Sequence, residues 1–166
     1  MAAARVPAAR GLAAHESRPI VWVGTGRGRV EERGYLVDNS VLQKLSRSRN
    51  IRDRFHEIIE AYPVYTCAPQ VLEYCWSARN PAEYAELRED VELFTPAVEA
   101  PTQRFVLDIQ QALWEGGMMR AAGNTDVLIA ATAITNDLTL ANCDRDFGYI
   151  AGVLPAGVFR QEFIAE

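Results

Sequence analysis

Four acidic residues stand at positions that an ordinary surface acid does not favour. Asp38 closes the apolar run "YLVD" and Asp144 directly follows "LTLANC", and both runs read as short buried strands. Asp126 lies in the first turn of "NTDVLIAATAITND", the most hydrophobic helical pattern in the chain, and Glu73 lies among the apolar residues of "PQVLEYCWSAR". A carboxylate at the end of a core strand is costly unless something neutralises it, so Asp38 is the hardest to explain. Taken singly, the other three could be helix-start, capping or solvated acids. The four acids together, rather than any one of them, indicate a functional site.

The four acids could share one cation. In a parallel α/β sheet the carboxyl ends of the strands and the starts of the following helices meet at one edge, so all four can converge there. Two ionised carboxylates about 5 Å apart repel by roughly 3 kcal/mol at an effective dielectric constant of 20. Ligands that are all oxygen select a hard ion such as Mg²⁺ or Mn²⁺. We therefore expect a divalent metal, which would activate water and stabilise charge developing on a phosphate.

The elements that must position these acids alternate between helix and strand. Short strands between helices predict a single α/β domain with a parallel sheet of four or five strands and helices on both faces. The predicted strands are 35–38, 64–67 and 138–143, with a Pro-bounded strand or loop at 95–101, and the predicted helices are 40–48, 51–62, 69–79, 81–94, 102–117, 124–137 and 144–151. Residues 152–166 form a C-terminal tail that could supply the last edge strand. Residues 1–34, rich in Ala, Arg and Gly, are predicted to be a flexible extension.

Composition and charge argue against a membrane protein and against a simple nucleic-acid-binding module. The chain has 166 residues with 49% hydrophobic and 23% charged content, which is typical of a soluble globular protein. No apolar run reaches the roughly 18 residues of a membrane span. Residues 1–20 lack the continuous apolar core of a signal peptide, so we expect a cytoplasmic protein. Residues 1–34 carry six Arg against three Glu, whereas the remainder carries 11 basic and 19 acidic residues. An acidic domain does not attract nucleic acid over long range, so any such substrate must be held locally or through a metal.

The motifs "YLVDNS", "PQVLEYCWSAR", "TDVLIAATAI" and "LTLANCDRDF" resemble, in order and spacing, the acidic motifs of PIN-domain ribonucleases. They are most similar to the VapC toxins of bacterial toxin–antitoxin pairs, over residues 35–151. The resemblance implies a homodimeric, Mg²⁺-dependent endoribonuclease acting on RNA, for which Mn²⁺ could substitute. It also implies inhibition by a VapB-like antitoxin, whose Arg residues would pair with the carboxylates in the cleft.

The resemblance assigns roles to individual residues. Asp38, Glu73, Asp126 and Asp144 match the family's catalytic acids. The first, third and fourth would hold the metal, and Glu73 would hold a metal-bound water or a second ion. Ser40 matches a small hydroxyl residue that supports the metal site.

Two further positions bear on the resemblance. Asn39 stands where the family usually has Thr. Asp146 is given less weight as a ligand because it directly precedes Phe147, which is predicted to lie in the core.

Basic residues suggest a second, weaker set of functional positions. Arg47 and Arg49 lie at the junction of the first two predicted helices, and Arg120 lies in a Gly-rich loop just before Asp126. Such residues could contact phosphate at the rim of the cleft, although clustered charges are more often a solvated surface.

Two other functions remain open at the level of sequence. A haloacid-dehalogenase-like phosphatase also has an Asp after its first strand, but it usually needs a second acid two residues later, where this chain has Ser40. A PIN fold without activity, serving as a protein-interaction module, is the other alternative, and the intact set of four acids argues against it.

Overall fold

The computed structural model describes residues 34–166, and the predicted N-terminal extension lies outside them apart from its last residue. This part of the chain forms five strands and seven helices, with one or two helices between successive strands. In order they are β1 Tyr35–Val37, α1 Asn39–Leu42, α2 Arg49–Ala61, β2 Val64–Thr66, α3 Ala68–Trp76, α4 Pro81–Glu92, β3 Thr95–Pro96, α5 Gln103–Glu115, α6 Asn124–Thr135, β4 Thr139–Asn142, α7 Asp146–Val153 and β5 Arg160–Phe163.

The strands form one sheet in the order β3-β2-β1-β4-β5, and every pair is parallel. The predicted fold class is thereby confirmed, with five strands. Since the chain moves outward from β1 to β2 and β3, and then returns to β4 and β5, the sheet reverses its order between β1 and β4. The carboxyl edge beside such a switch point is where open α/β sheets bind their ligands.

Helices cover both faces of the sheet, as predicted. On one face α5, α6 and α7 enclose a core that includes Ile109, Ile129 and Phe147, all fully buried. On the other face α1 and α2 pack through Val41 and Ile58. Six residues of α6, from Val127 to Ala133, are buried, so most of this helix lies in the core.

Most predicted helix ends shift by one to three residues, and two of the differences bear on the site. The predicted helix 40–48 is one short helix, α1, followed by turns. A new helix begins after Ser48, whose side chain accepts from the Ile51 amide at 3.4 Å. The helix predicted from Asp144 begins two residues later, because the Asp144 carboxylate accepts from the Asp146 amide at 3.0 Å. Asp144 therefore lies before α7, on the loop that leaves β4.

The two edge strands are short and irregular in sequence. β3 consists of two residues, one of them Pro96, and the following Ala97 amide donates to the Thr66 carbonyl oxygen at 2.8 Å. A proline is tolerated there because an edge strand has one side without a partner. β5 is the opposite edge, and its neighbour Ile164 is buried. No helix within residues 34–166 is long and apolar enough to cross a bilayer.

Candidate functional site

The candidate site lies at the carboxyl edge of the sheet, where β1 and β4 end side by side. Val37 pairs with Ala141, and the Asp38 amide donates to the Ala141 carbonyl oxygen at 2.9 Å. Asp38 and Asp144 follow these two central strands. The fold therefore delivers two of the predicted acids to one edge from distant parts of the chain.

Asp38 is buried, with 5% of its surface exposed, and its own neighbours satisfy its carboxylate in part. Oδ2 accepts from the Ser40 amide at 2.8 Å and from the Ser40 hydroxyl, so Asp38 is the N-cap of α1. Burial nevertheless raises the pKa of Asp38, and the charge of Glu73 raises it further, although the hydrogen bonds from Ser40 oppose the change. Asp38 thus has a structural partner in Ser40 and still carries an uncompensated cost of ionisation.

Ser40 joins the ends of the two central strands. Its Oγ accepts from the Cys143 amide at 2.9 Å while the hydroxyl donates to Asp38. A single hydroxyl therefore fixes the Asp38 carboxylate relative to the loop that carries Asp144, consistent with the supporting role predicted for it.

Asp126 occupies the third position of α6, and its side chain bonds back to the residue that precedes the helix. Its Oδ2 accepts from the Gly123 amide at 2.7 Å, and a Cβ at Gly123 would lie 3.0 Å from that same oxygen. Burial, chiefly, raises the pKa of Asp126 to about 6, and the charges of Asp38, Asp144 and Asp146 contribute to the same rise. Acids from three other points in the chain therefore act on Asp126 through space.

Asp146 contributes to this acidic surface as well. It is half-buried, and burial together with the charge of Asp144 raises its pKa. The preference for Asp144 over Asp146 as a ligand stays a prediction. A carboxylate two residues after Asp144, on the first turn of α7, belongs to the same electrostatic group.

Glu73, on α3, is connected to the site by a hydrogen bond from the side-chain amide of Asn39. The Nδ2 atom of Asn39 donates to its Oε2 at 3.2 Å, and Glu73 itself is exposed. Asn39 in turn is 5% exposed and accepts from Gln70. The substitution of Asn for the usual Thr at this position is thus accompanied by a polar network that sequence patterns do not reveal.

The donor atoms of this cleft suit a hard divalent cation. They are carboxylate oxygens, whereas burial raises the pKa of the nearby Cys143 thiol to about 11 and keeps it neutral. In the part of the chain that the structure describes, no group of three or more His, Cys, Asp or Glu side chains is placed to hold a metal ion. The approach of the four acids to metal-bridging distance therefore stays a prediction.

The predicted basic residues all lie on the surface. Arg47, Arg49 and Arg120 are exposed, and Arg49 pairs with Asp53 one turn along α2 at 3.3 Å. Their role in substrate binding stays a prediction.

Lys44 is a cation that the sequence did not single out. Lys44 is half-buried and pairs with the Glu166 carboxylate at 2.8 Å. This hydrogen bond is the main reason that the pKa of Lys44 is raised, and the negative charge of Asp144 adds to it. Nothing in the helical pattern around Lys44 signals this, because the contact depends on the path of the C-terminal residues.

The sequence matches one protein family and is similar to two named ribonucleases. The PIN domain family matches residues 35–153, which is most of the chain. Ribonuclease VapC2 of Mycobacterium tuberculosis (strain CDC 1551 / Oshkosh) is 32% identical over 126 residues, covering 72% of this chain and 86% of the relative. Ribonuclease VapC6 of the same strain is 31% identical over 94 residues, covering 55% of this chain and 74% of the relative.

Solved structures share the fold at low sequence identity. A crystal structure of VapBC2 from Rickettsia felis bound to a promoter DNA fragment has a chain with a TM-score of 0.60 and 14% identity, covering 78% of this chain and 97% of that one. DNA-bound VapBC from Salmonella typhimurium gives a TM-score of 0.60 at 17% identity, covering 80% of this chain and 99% of that one.

Proposed function

This chain belongs to the PIN domain family, and we propose that it is a metal-dependent endoribonuclease toxin that hydrolyses phosphodiester bonds in RNA. The observation that carries the proposal is the position of the acids: Asp38 and Asp144 follow the paired central strands β1 and β4, and Asp126 lies in the first turn of α6. The charges of Asp38 after β1 and of Asp144 after β4 help to raise the pKa of Asp126 at the start of α6. A chain that only needed to fold would gain nothing from placing like charges at one edge of its sheet. Similarity to VapC ribonucleases supports RNA as the substrate.

We assign the metal to Asp38, Asp126 and Asp144, and we assign to Glu73 the binding of a coordinated water or of a second ion. Mg²⁺ is the proposed ion, with Mn²⁺ as a substitute, because the donors are carboxylate oxygens. When bound, such an ion polarises a phosphate and lowers the pKa of water. Ser40 keeps the Asp38 carboxylate in place from its own hydrogen bonds to Asp38 and to the Cys143 amide.

RNA would be held by local cations, because the chain as a whole has a net charge of −5. Lys44 is the cation best placed to contact a phosphate beside Asp144. Arg47, Arg49 and Arg120 would contact the phosphates farther along the strand.

A VapB-like antitoxin is the proposed protein partner, since several structural neighbours are toxin–antitoxin complexes. Arg side chains of the antitoxin would pair with the cleft carboxylates. A groove of about 860 Å³ between α3 and α4, lined by Leu72, Trp76 and Tyr84, offers an apolar surface for such a segment. We also propose that the protein is a homodimer and acts in the cytoplasm.

The phosphatase alternative loses its basis in this fold. Ser40 stands where that class needs its second acid, and its hydroxyl is engaged with Asp38 and the Cys143 amide. The family match over residues 35–153 is to PIN domains. An interaction module without activity would bind its partner but leave RNA intact. An RNA cleavage assay therefore distinguishes this alternative from the proposed nuclease.

The test uses purified full-length chain and end-labelled RNA, with Mg²⁺ or with EDTA. We expect cleavage in Mg²⁺ alone, and loss of cleavage in Asp126→Asn and Asp144→Asn. Asp90→Asn, an exposed acid on α4, is the matched control and should cleave at the wild-type rate. Cleavage that persists in EDTA, or in the two site variants, would refute the proposed metal site.

A further inference from the structure

A buried pair of amides connects α1 to α3 directly beside the acidic cleft. Gln70 is fully buried and Asn39 is 5% exposed. Gln70 Nε2 donates to Asn39 Oδ1 at 3.1 Å, and Asn39 Nδ2 donates to Glu73 Oε2 at 3.2 Å. The three side chains therefore form one hydrogen-bonded chain that ends on a carboxylate.

The donors and acceptors in these two hydrogen bonds follow from the chemistry of the carboxylate. An ionised carboxylate can only accept, so Asn39 must turn its NH₂ group toward Glu73. The carbonyl oxygen of Asn39 then faces Gln70, which must donate. Each amide has a single orientation that satisfies its neighbour. A turn of the Asn39 amide would direct its oxygen at the Glu73 carboxylate, and a turn of the Gln70 amide would direct its oxygen at that of Asn39.

The pair is expensive to bury, which argues against packing as its purpose. Gln70 Oε1 is buried and has no hydrogen-bond partner among the described residues. A methionine would fill the same volume without an unsatisfied oxygen. The amide is useful for its donor group, and that donor is directed at Asn39.

Of the three hydrogen-bonded residues, Glu73 is the one whose side chain is not fixed by burial. It is exposed on α3, whereas Asn39 is the residue that immediately follows Asp38. A long exposed glutamate loses rotamer freedom when it is fixed in one position, so it stays in place only with a partner. The hydrogen bond from Asn39 thus ties the Glu73 carboxylate to the backbone neighbour of Asp38.

We propose that Asn39 and Gln70 are positioning residues that hold the Glu73 carboxylate toward the cation site next to Asp38. This inference rests on the proposed function, and it assigns a role to two neutral residues. Asn39 acts directly on Glu73, and Gln70 acts through Asn39 by fixing its amide.

The test is a double-mutant cycle on metal affinity. Mn²⁺ binding to the RNA-free protein is measured by electron paramagnetic resonance for wild type, Asn39→Ala, Glu73→Ala and the double variant. We expect Asn39→Ala to weaken Mn²⁺ binding by about tenfold, the lower end of the effect of removing a residue that orients a metal ligand. In the Glu73→Ala background Asn39→Ala should have no further effect, because its target is gone.

Two further variants guard against a general loss of structure. Gln70→Met keeps the volume of the side chain and should weaken Mn²⁺ binding in the same direction as Asn39→Ala. Asn136→Ala, at the opposite end of α6 from Asp126, removes hydrogen bonds to Glu99 and to the Thr132 carbonyl oxygen and serves as the control. It should lower the melting temperature without changing Mn²⁺ affinity.

The outcomes separate this inference from the proposed function. Equal losses from Asn39→Ala with and without Glu73, or unchanged Mn²⁺ affinity in Gln70→Met, would overturn the positioning role. Failure of the wild type to bind Mn²⁺ would overturn it too. Normal Mn²⁺ binding and coupling, with no RNA cleavage, would instead overturn only the proposed nuclease function.

Discussion

Replacing Asp126 by Asn should stabilise the metal-free protein and destabilise it relative to wild type when Mg²⁺ is present. Asn keeps the shape of the side chain, and its Oδ1 can still accept from the Gly123 amide that Asp126 holds at 2.7 Å. The substitution therefore removes a charge from the cleft while leaving the cap of α6 in place.

The size of the effect follows from the environment of Asp126. Burial and the neighbouring acids raise its pKa from 3.8 to about 6. At about 1.4 kcal/mol per pKa unit the full cost of ionisation would be about 3 kcal/mol. Because the side chain is partly exposed, solvent screening reduces this to about 1–2 kcal/mol. The lost attraction between the carboxylate and the N-terminus of α6 takes away about 0.3–1 kcal/mol. The net gain is about 1 kcal/mol, or about 3–5 °C in melting temperature for a domain of this size.

The pH dependence provides an internal check. The folded-state pKa of Asp126 lies above its unfolded value, so the native protein binds the proton more tightly. The destabilisation is therefore fully present above about pH 6 and is relieved as pH falls from there toward about 4. In EDTA, Asp126→Asn should melt higher than wild type at neutral pH, and this advantage should disappear near pH 4.

The assay is thermal unfolding followed by circular dichroism, in EDTA and in saturating Mg²⁺. At a concentration 100 times the dissociation constant, a bound ion stabilises the wild type by about 2.7 kcal/mol. The variant lacks one ligand and gains less, so the order of melting temperatures should reverse. A variant that melts lower than wild type in EDTA at neutral pH would refute the account of a repulsive acidic cleft. An unchanged order in Mg²⁺ would refute Asp126 as a ligand.

Three more substitutions test separate parts of the structure. Ser40→Ala removes the hydroxyl that joins the two central strands, so the RNA cleavage rate should fall by at least about tenfold, and normal cleavage would contradict its supporting role. Glu162→Gln weakens the contact with Arg54, whose Nε lies 2.6 Å from the carboxylate, and should cost about 1 kcal/mol in urea unfolding at neutral pH. Because the hydrogen bond from Arg54 lowers the pKa of Glu162, that loss should fade as pH falls through this lowered pKa, and a loss that persisted in acid would contradict the ion pair. Gly34→Ala would place its Cβ 2.8 Å from a backbone carbonyl oxygen and should destabilise the fold by about 1–3 kcal/mol, whereas Gly152→Ala, which has nothing within 4 Å, should not.

Much of the fold could be predicted because its signals are local and periodic. The apolar runs that become β1 and β4 predicted both the parallel sheet and the edge to which Asp38 and Asp144 are delivered. The apolar pattern of α6 predicted a central buried helix. The two edge strands carry weaker signals, because β3 contains a proline and the residues of β5 are mostly polar. Their place in the sheet is set by pairing partners far away in the chain.

The parts of the site that escaped prediction depend on tertiary contacts. The hydrogen bond between Asn39 and Gln70 joins two helices and has no periodic pattern in the sequence. The ion pair of Lys44 with Glu166 joins two parts of the chain that are more than 100 residues apart. Asp38 was expected to need a cation, and its role as N-cap of α1 shows that the hydroxyl of Ser40 meets part of that need first.

The parallel pairing of β1 with β4 has a consequence for the timing of activity during synthesis. Asp38 leaves the ribosome early, but its amide bonds to Ala141, and Ser40 bonds to Cys143. Neither contact can form until more than 100 further residues have been translated. Long-range parallel pairing is also slow, because the chain must close a large loop before any contact compensates for the lost entropy. A partly synthesised chain therefore carries Asp38 and Glu73 without the rest of the cleft, and the ribosome that makes the protein holds an incomplete site until translation has passed β4.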